Sequence, residues 1–277
     1  MAITDIDLEV GEAAPPPFEN KVINSIYNDK SLFLSAIKQN PSKQQYSNVT
    51  GVTVPHHLLA KDLIAEIFSS ISENEYQKII VISPDHFNSG ETQFSTTSKN
   101  IQTVFGEINT DQELVQAIVT NNELIQESKL FRREHGIHSV APFIEYYFPE
   151  AKVTVVAIKI NSSKEQLDTL YYTLKPHISS QTLIVQSTDF SHYLTEDVAN
   201  QKDRQTVIIL ESRDPQKLFT LNQPDNIDSI GAQYLQMLIQ NQIFQSQLQI
   251  IHQVNSNQYT SEPVDETTSY ITQIYSN

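Results

Sequence analysis

Lys78-Ile-Ile-Val-Ile-Ser-Pro-Asp-His86 decides the fold. Ile79 to Ile82 is a continuous, β-branched apolar run with no polar alternation, the pattern of a short strand covered on both faces in a parallel sheet. The run meets Pro84 and delivers His86 where the strand gives way to a loop. Gly51-Val-Thr-Val-Pro-His56-His57 repeats the arrangement. Ligands of open α/β sheets collect beyond the carboxyl ends of the strands, so the two imidazoles are expected to converge on one crevice. Imidazole is the commonest metal-ligating side chain and titrates near neutral pH, so the pair predicts a metal site.

Working outward, strand and helix patterns alternate. Lys21 to Gln39 reads as a helix, Tyr46 to Val54 as a strand, and Leu58 to Ile71 as an amphipathic helix. Short arms follow at Thr92 to Thr97 and at Ile101 to Ile108, and then a helix from Asp111, a good N-cap. Lys152 to Ile160 and Thr182 to Ser187 are further strands, with a helix over Ser163 to Leu174 between them. Val198 to Ser212 and Gly231 to Asn241 read as helices, Ser246 to Val254 as a strand, and Thr268 to Tyr275 as a strand that closes the sheet. The expected class is α/β, with a mainly parallel central sheet covered by helices on both faces. No repeat or composition break divides residues 21–277, which are expected to form one domain.

The 277 residues carry a net charge of −15, with only 18 Lys and Arg. That argues against nucleic acid as a partner, because binding the phosphate backbone needs clustered cations. There is no cysteine, which excludes disulfides, thiolate ligands and Cys nucleophiles. No stretch approaches the length of a membrane span. Residues 1–20 are acidic, contain Pro15-Pro16-Pro17 and lack a signal pattern, so they read as a flexible leader. A cytoplasmic location is expected, or a membrane-anchored one if a native N-terminal segment precedes this chain.

Three further segments carry chemistry. Ser187-Thr-Asp189-Phe-Ser-His192-Tyr193 follows an apolar strand, and Asp189 can face His192 across a turn and fix its tautomer. The competing reading is a turn that leaves His192 in solvent. Glu134-His135-Gly-Ile-His138 precedes a helix and can supply a partner behind a pocket ligand or an extra pocket imidazole, with His138 on the same helix face as His135. Asp228, just before the late helix, is either a third metal ligand or that helix's N-cap. Two His and one carboxylate would make the facial arrangement of non-haem Fe(II) sites.

Taken in order, Pro55-His56 with Ala60, Ser83-Pro-Asp-His86, Thr103 to Asp111, Glu134 to Phe143, Ser187 to Tyr193 and Thr267 to Thr272 resemble the Memo-like family, also called AmmeMemoRadiSam system protein B. The resemblance runs from about Tyr46 to the C-terminus. It implies a class III extradiol dioxygenase-like fold, in which two His and an acidic residue hold Fe(II) and another His acts as acid/base. It implies metal positions at His56 and His86, a pocket-lining pair at Asp189 and His192, and a histidine after the acidic residue at His135. Many members have a Cys-Gly step before the late helix. One register sets Asp228 at that Cys, favouring iron over copper; another keeps Gly231 aligned and sets Ile230 there.

The expectation is a metal-binding protein acting on an unknown small substrate, oxygenase-like or redox, with His56, His86 and Asp228 on the metal and His192, Asp189 and His135 as catalytic residues. Fe(II) is the first expectation for the metal, with Cu or Zn as alternatives. A non-catalytic protein that binds a peptide or ligand in the same crevice and a metal-dependent hydrolase are the competing readings. The resemblance also implies partners in a radical-enzyme system.

Overall fold

The computed structural model describes residues 22–262 and 264–277; the expected leader at 1–20 lies outside them. Four parallel strands form the centre of a nine-stranded sheet, in the spatial order Val49–Val54, Thr182–Ser187, Lys78–Pro84, Lys152–Ile158. The margins are antiparallel: Thr267–Ser276 pairs with Val49–Val54, and Phe94–Thr96 pairs with Lys152–Ile158. Both Gln247–Asn255 and His192–Leu194 pair with Thr267–Ser276.

The unbroken apolar run of Lys78–Pro84 is explained by the two layers it serves. Successive strand side chains point to opposite faces. Ile79 and Val81 join one core with Phe68, Phe143 and Val185, while Ile80 and Ile82 join the other with Leu167, Ile184 and Leu235. Helices Lys61–Ser70 and Ala141–Tyr147 cover the first face, and Lys164–Leu174 and Ile230–Ile239 the second. The α/β class expected from the sequence is therefore the one observed.

Local signals explain where elements begin. Asp111 caps the Gln112–Asn121 helix through Leu114 N, and Ser163 with Gln166 forms a full capping box on Lys164–Leu174. The expected helix from Lys21 instead begins at Lys30. Asp29 accepts from Ser31 and Leu32 N to start it, and the β-branched Val22–Ile23 pairs with Asn100 and Ile101 as a strand.

Strand order matters most for function. Val49–Val54 and Lys78–Pro84 are not neighbours, because Thr182–Ser187 lies between them. The residues after Ser187 are thus delivered between His56 and His86.

Candidate metal centre

His56 and His86 meet beyond the strand ends, as expected. Their Nε2 atoms are 3.1 Å apart and their ring centroids 4.6 Å apart. Asp228 Oδ2 lies 3.2 Å from His56 Nε2 and 3.7 Å from His86 Nε2, which closes a triangle of donor atoms. The His135 ring lies tilted at 34° with its centroid 4.0 Å from that of His86, and one nitrogen from each of His56, His86 and His135 falls within 4.8 Å of the others. This buried to half-buried His group can hold a metal ion.

Each ring is oriented from behind. His86 Nδ1 is 2.6 Å from Glu134 Oε1, and His86 N donates to Glu134 Oε2 at 3.1 Å. Glu134 also accepts from Gly136 N at 3.0 Å. With Nδ1–H on the carboxylate, the Nε2 lone pair faces the crevice, which is how carboxylate partners set a ligating His. His56 Nδ1 lies 3.3 Å from Ser187 Oγ, which donates to Gly136 O at 2.5 Å and so accepts from the ring. Gly136 passes close to its neighbours here: a Cβ would meet Ser83 Oγ beside the His86 ring.

The electrostatics suit a cation. Burial opposes a charged His56, yet Asp189 and Asp228 outweigh it and raise its pKa. Burial likewise opposes a charged His86, but its bonds to Asp228 and Glu134 push the value up to about 10. Asp228 is held well below the usual carboxylate range, since His56 and His86 overcome its burial. Burial, then the charges of His86 and His56, push His135 down to about 4. Asp228 Oδ1 is buried without a hydrogen-bond partner among the described residues. An orphaned acceptor beside converging Nε2 atoms is the chemistry of a ligand set.

Several expectations need correction. Asp189 does not fix His192. Its Oδ1 accepts from His56 N at 3.1 Å, and its Oδ2 lies 3.4 Å from His56 Nε2. His192 Nδ1 instead meets Phe190 O at 2.5 Å, and the half-buried residue pairs with Thr268 in the sheet. That leaves Nε2 without a hydrogen-bond partner among the described residues. Of the two readings of Asp228, ligand or cap, the cap is taken by Ser229, whose side chain accepts from Ala232 N. Ile230 is the first residue of that helix. His138 leaves the crevice: it is buried and bonds Phe131 O through Nε2 at 2.7 Å. The helix it shares with His135 is a single turn, His135–His138.

Sequence reading missed Ser187 and Gly136 as supports of His56. Their signals were faint: a Ser closing an apolar strand, and a Gly directly after a paired Glu-His.

Comparison with known proteins shows the family of the chain. The Memo-like protein family model matches residues 25–274, and the chain belongs to that family. A MEMO1 family protein of Aquifex aeolicus (strain VF5) is 28% identical over 187 residues, covering 64% of this chain but only 50% of the relative. One from Pyrobaculum aerophilum is 23% identical over 196 residues, 68% of this chain and 69% of that protein. One from Methanococcus maripaludis is 26% identical over 207 residues, 70% and 72% respectively. Among solved structures, the uncharacterized protein JW3007 from Escherichia coli K12 aligns with a TM-score of 0.49 at 9% identity, covering 81% of this chain and 99% of that one. No helix among the described residues is long and apolar enough to cross a membrane.

Proposed function

We propose that this protein holds a divalent transition metal on His56, His86 and Asp228, and uses it in oxygenase-like or redox chemistry on a small substrate. The donor triangle carries the reading. Adjacent donors on one face of an octahedral site with bonds of about 2.1 Å sit about 3 Å apart. The observed edges of 3.1, 3.2 and 3.7 Å are close to that. Two imidazoles, a carboxylate and no thiolate in the chain favour iron(II) over copper. When bound, such a metal supplies Lewis-acid and one-electron chemistry.

The chain's own residues supply the rest. Glu134 and Ser187 hold the two rings with Nε2 inward. Asp189 anchors the His56 backbone and adds negative charge beside its ring. His192, with Nδ1–H on the Phe190 carbonyl, carries a free Nε2 that accepts or donates a proton. His135, held neutral by burial and its charged neighbours, lies over His86 at the open side as a second pocket imidazole.

Metal analysis of protein purified without chelators tests the reading, beside His56→Ala and His86→Ala. Wild type is expected to carry about one metal per chain and each variant to lose it. If neither substitution changes iron, copper or zinc content, the reading fails. Oxygen uptake in the presence of substrate then separates an oxygenase from a metal-dependent hydrolase, which turns over without oxygen, and from a binding protein with no turnover.

A further inference from the structure

We propose that Phe87 and Arg133 form the outer wall of the crevice and select a carboxylate-bearing ligand with a flat apolar body; the proposal rests on the metal-crevice reading above. Phe87 directly follows His86, and Arg133 directly precedes Glu134. The two hydrogen bonds between His86 and Glu134 tie these segments together, so the pair beyond them is set by the same bonds that orient the metal-facing ring.

Phe87 is 46% exposed, a large apolar ring held outward. Its turn is pinned from below: the buried Asp85 carboxylate accepts from Ser89 N and Gly90 N, and Asn88 is in the left-handed region at φ 47°. The Phe87 ring centroid is 6.3 Å from His135, edge to face, and the Arg133 guanidinium carbon is 4.4 Å from the Phe87 centroid. From the metal donors outward the sequence of groups is therefore imidazole, aromatic ring, guanidinium.

A guanidinium that rests its face on a ring keeps its in-plane N–H fork free for a bidentate carboxylate. Among the described residues no carboxylate pairs with Arg133.

Benzoate and its neutral analogue benzamide are the probes, titrated calorimetrically into wild type, Arg133→Gln and Phe87→Ala, with metal content measured on each. A charged hydrogen-bonded pair predicts benzoate bound about tenfold or more tightly over benzamide. Arg133→Gln is expected to erase that difference with metal content unchanged, and Phe87→Ala to weaken both probes. If benzoate does not bind, or binds equally to wild type and Arg133→Gln, the proposal is overturned while the metal site stands. Loss of the metal reading shows instead as metal-free wild type, on which the Arg133 dependence is still measured.

Discussion

Glu134 Oε1 lies 2.6 Å from His86 Nδ1, and this pairing decides which nitrogen of His86 faces the crevice. Glu134 is fully buried, and its charge is kept by His86 and by the Gly136 amide despite that burial. Replacing it with Gln keeps an acceptor for Gly136 N and removes the anionic partner. Glu134→Gln is expected to fold and to bind metal about 10- to 100-fold more weakly, as removal of a ligand's supporting carboxylate does. Metal titration against a chromogenic chelator measures this; unchanged affinity would show that the pairing does not tune the ring.

Asp228 and Ser229 are adjacent and do different work. Asp228→Asn is expected to abolish stoichiometric metal, because its Oδ2 is the proposed oxygen donor beside the two Nε2 atoms. Ser229→Ala removes only the helix cap, at about 1 kcal/mol, and is expected to keep the metal. Elemental analysis and denaturant melts on both variants check the division. Equal metal loss in the two would make the Asp228 effect structural.

Gly136 sits where the chain passes Ser83 and the His86 ring. Gly136→Ala is expected to destabilise by about 1–3 kcal/mol through overpacking, and to displace His86 as the contact is relieved. A lowered melting temperature together with weakened metal binding is the expected pair of results. A stable variant with full metal affinity would show that the neighbours shift freely.

His138 predicts acid sensitivity outside the site. Its buried ring, held neutral against the Phe131 carbonyl, has a pKa lowered from 6.5 mainly by burial. The unfolded chain therefore binds the extra proton more readily. His138 contributes full stability above about pH 6.5, and that contribution falls as pH drops below it. Denaturant unfolding at pH 7.5 and 5.5 is expected to show a smaller loss on acidification in His138→Gln than in wild type. Identical losses would contradict the assignment.

The strands around the site were legible because their buried faces leave an unmistakable pattern. Ile79 to Ile82 must be apolar throughout, since alternate residues serve opposite cores. His56 and His86 were legible for a related reason: polar, titratable groups right after a Pro-ended apolar strand have few structural explanations. Asp228 stayed open between ligand and cap, since an Asp ahead of a helix suits both, and only the observed Ser229 cap frees it. Asp189 was misassigned because proximity in sequence suggested His192. The strand inserted between the two His-bearing strands carries it to His56 instead. No local pattern marks Gln186, Gln233 and Gln273, which are fully buried and linked by hydrogen bonds from Gln186 to Gln233 and between Gln233 and Gln273.

The sequence by itself determined the α/β class, the strands, the two strand-end imidazoles and the absence of any thiolate donor. These follow from local chemistry: side-chain period, β-branching and residue type. Only the tertiary structure decided which groups meet. Strand order, which no local pattern encodes, set Ser187 and Asp189 between His56 and His86. The docking of the late helix brought Asp228 to 3.2 Å from His56. A site built from five separate segments is a property of the packing, because each donor reaches the others across 30 or more residues of chain.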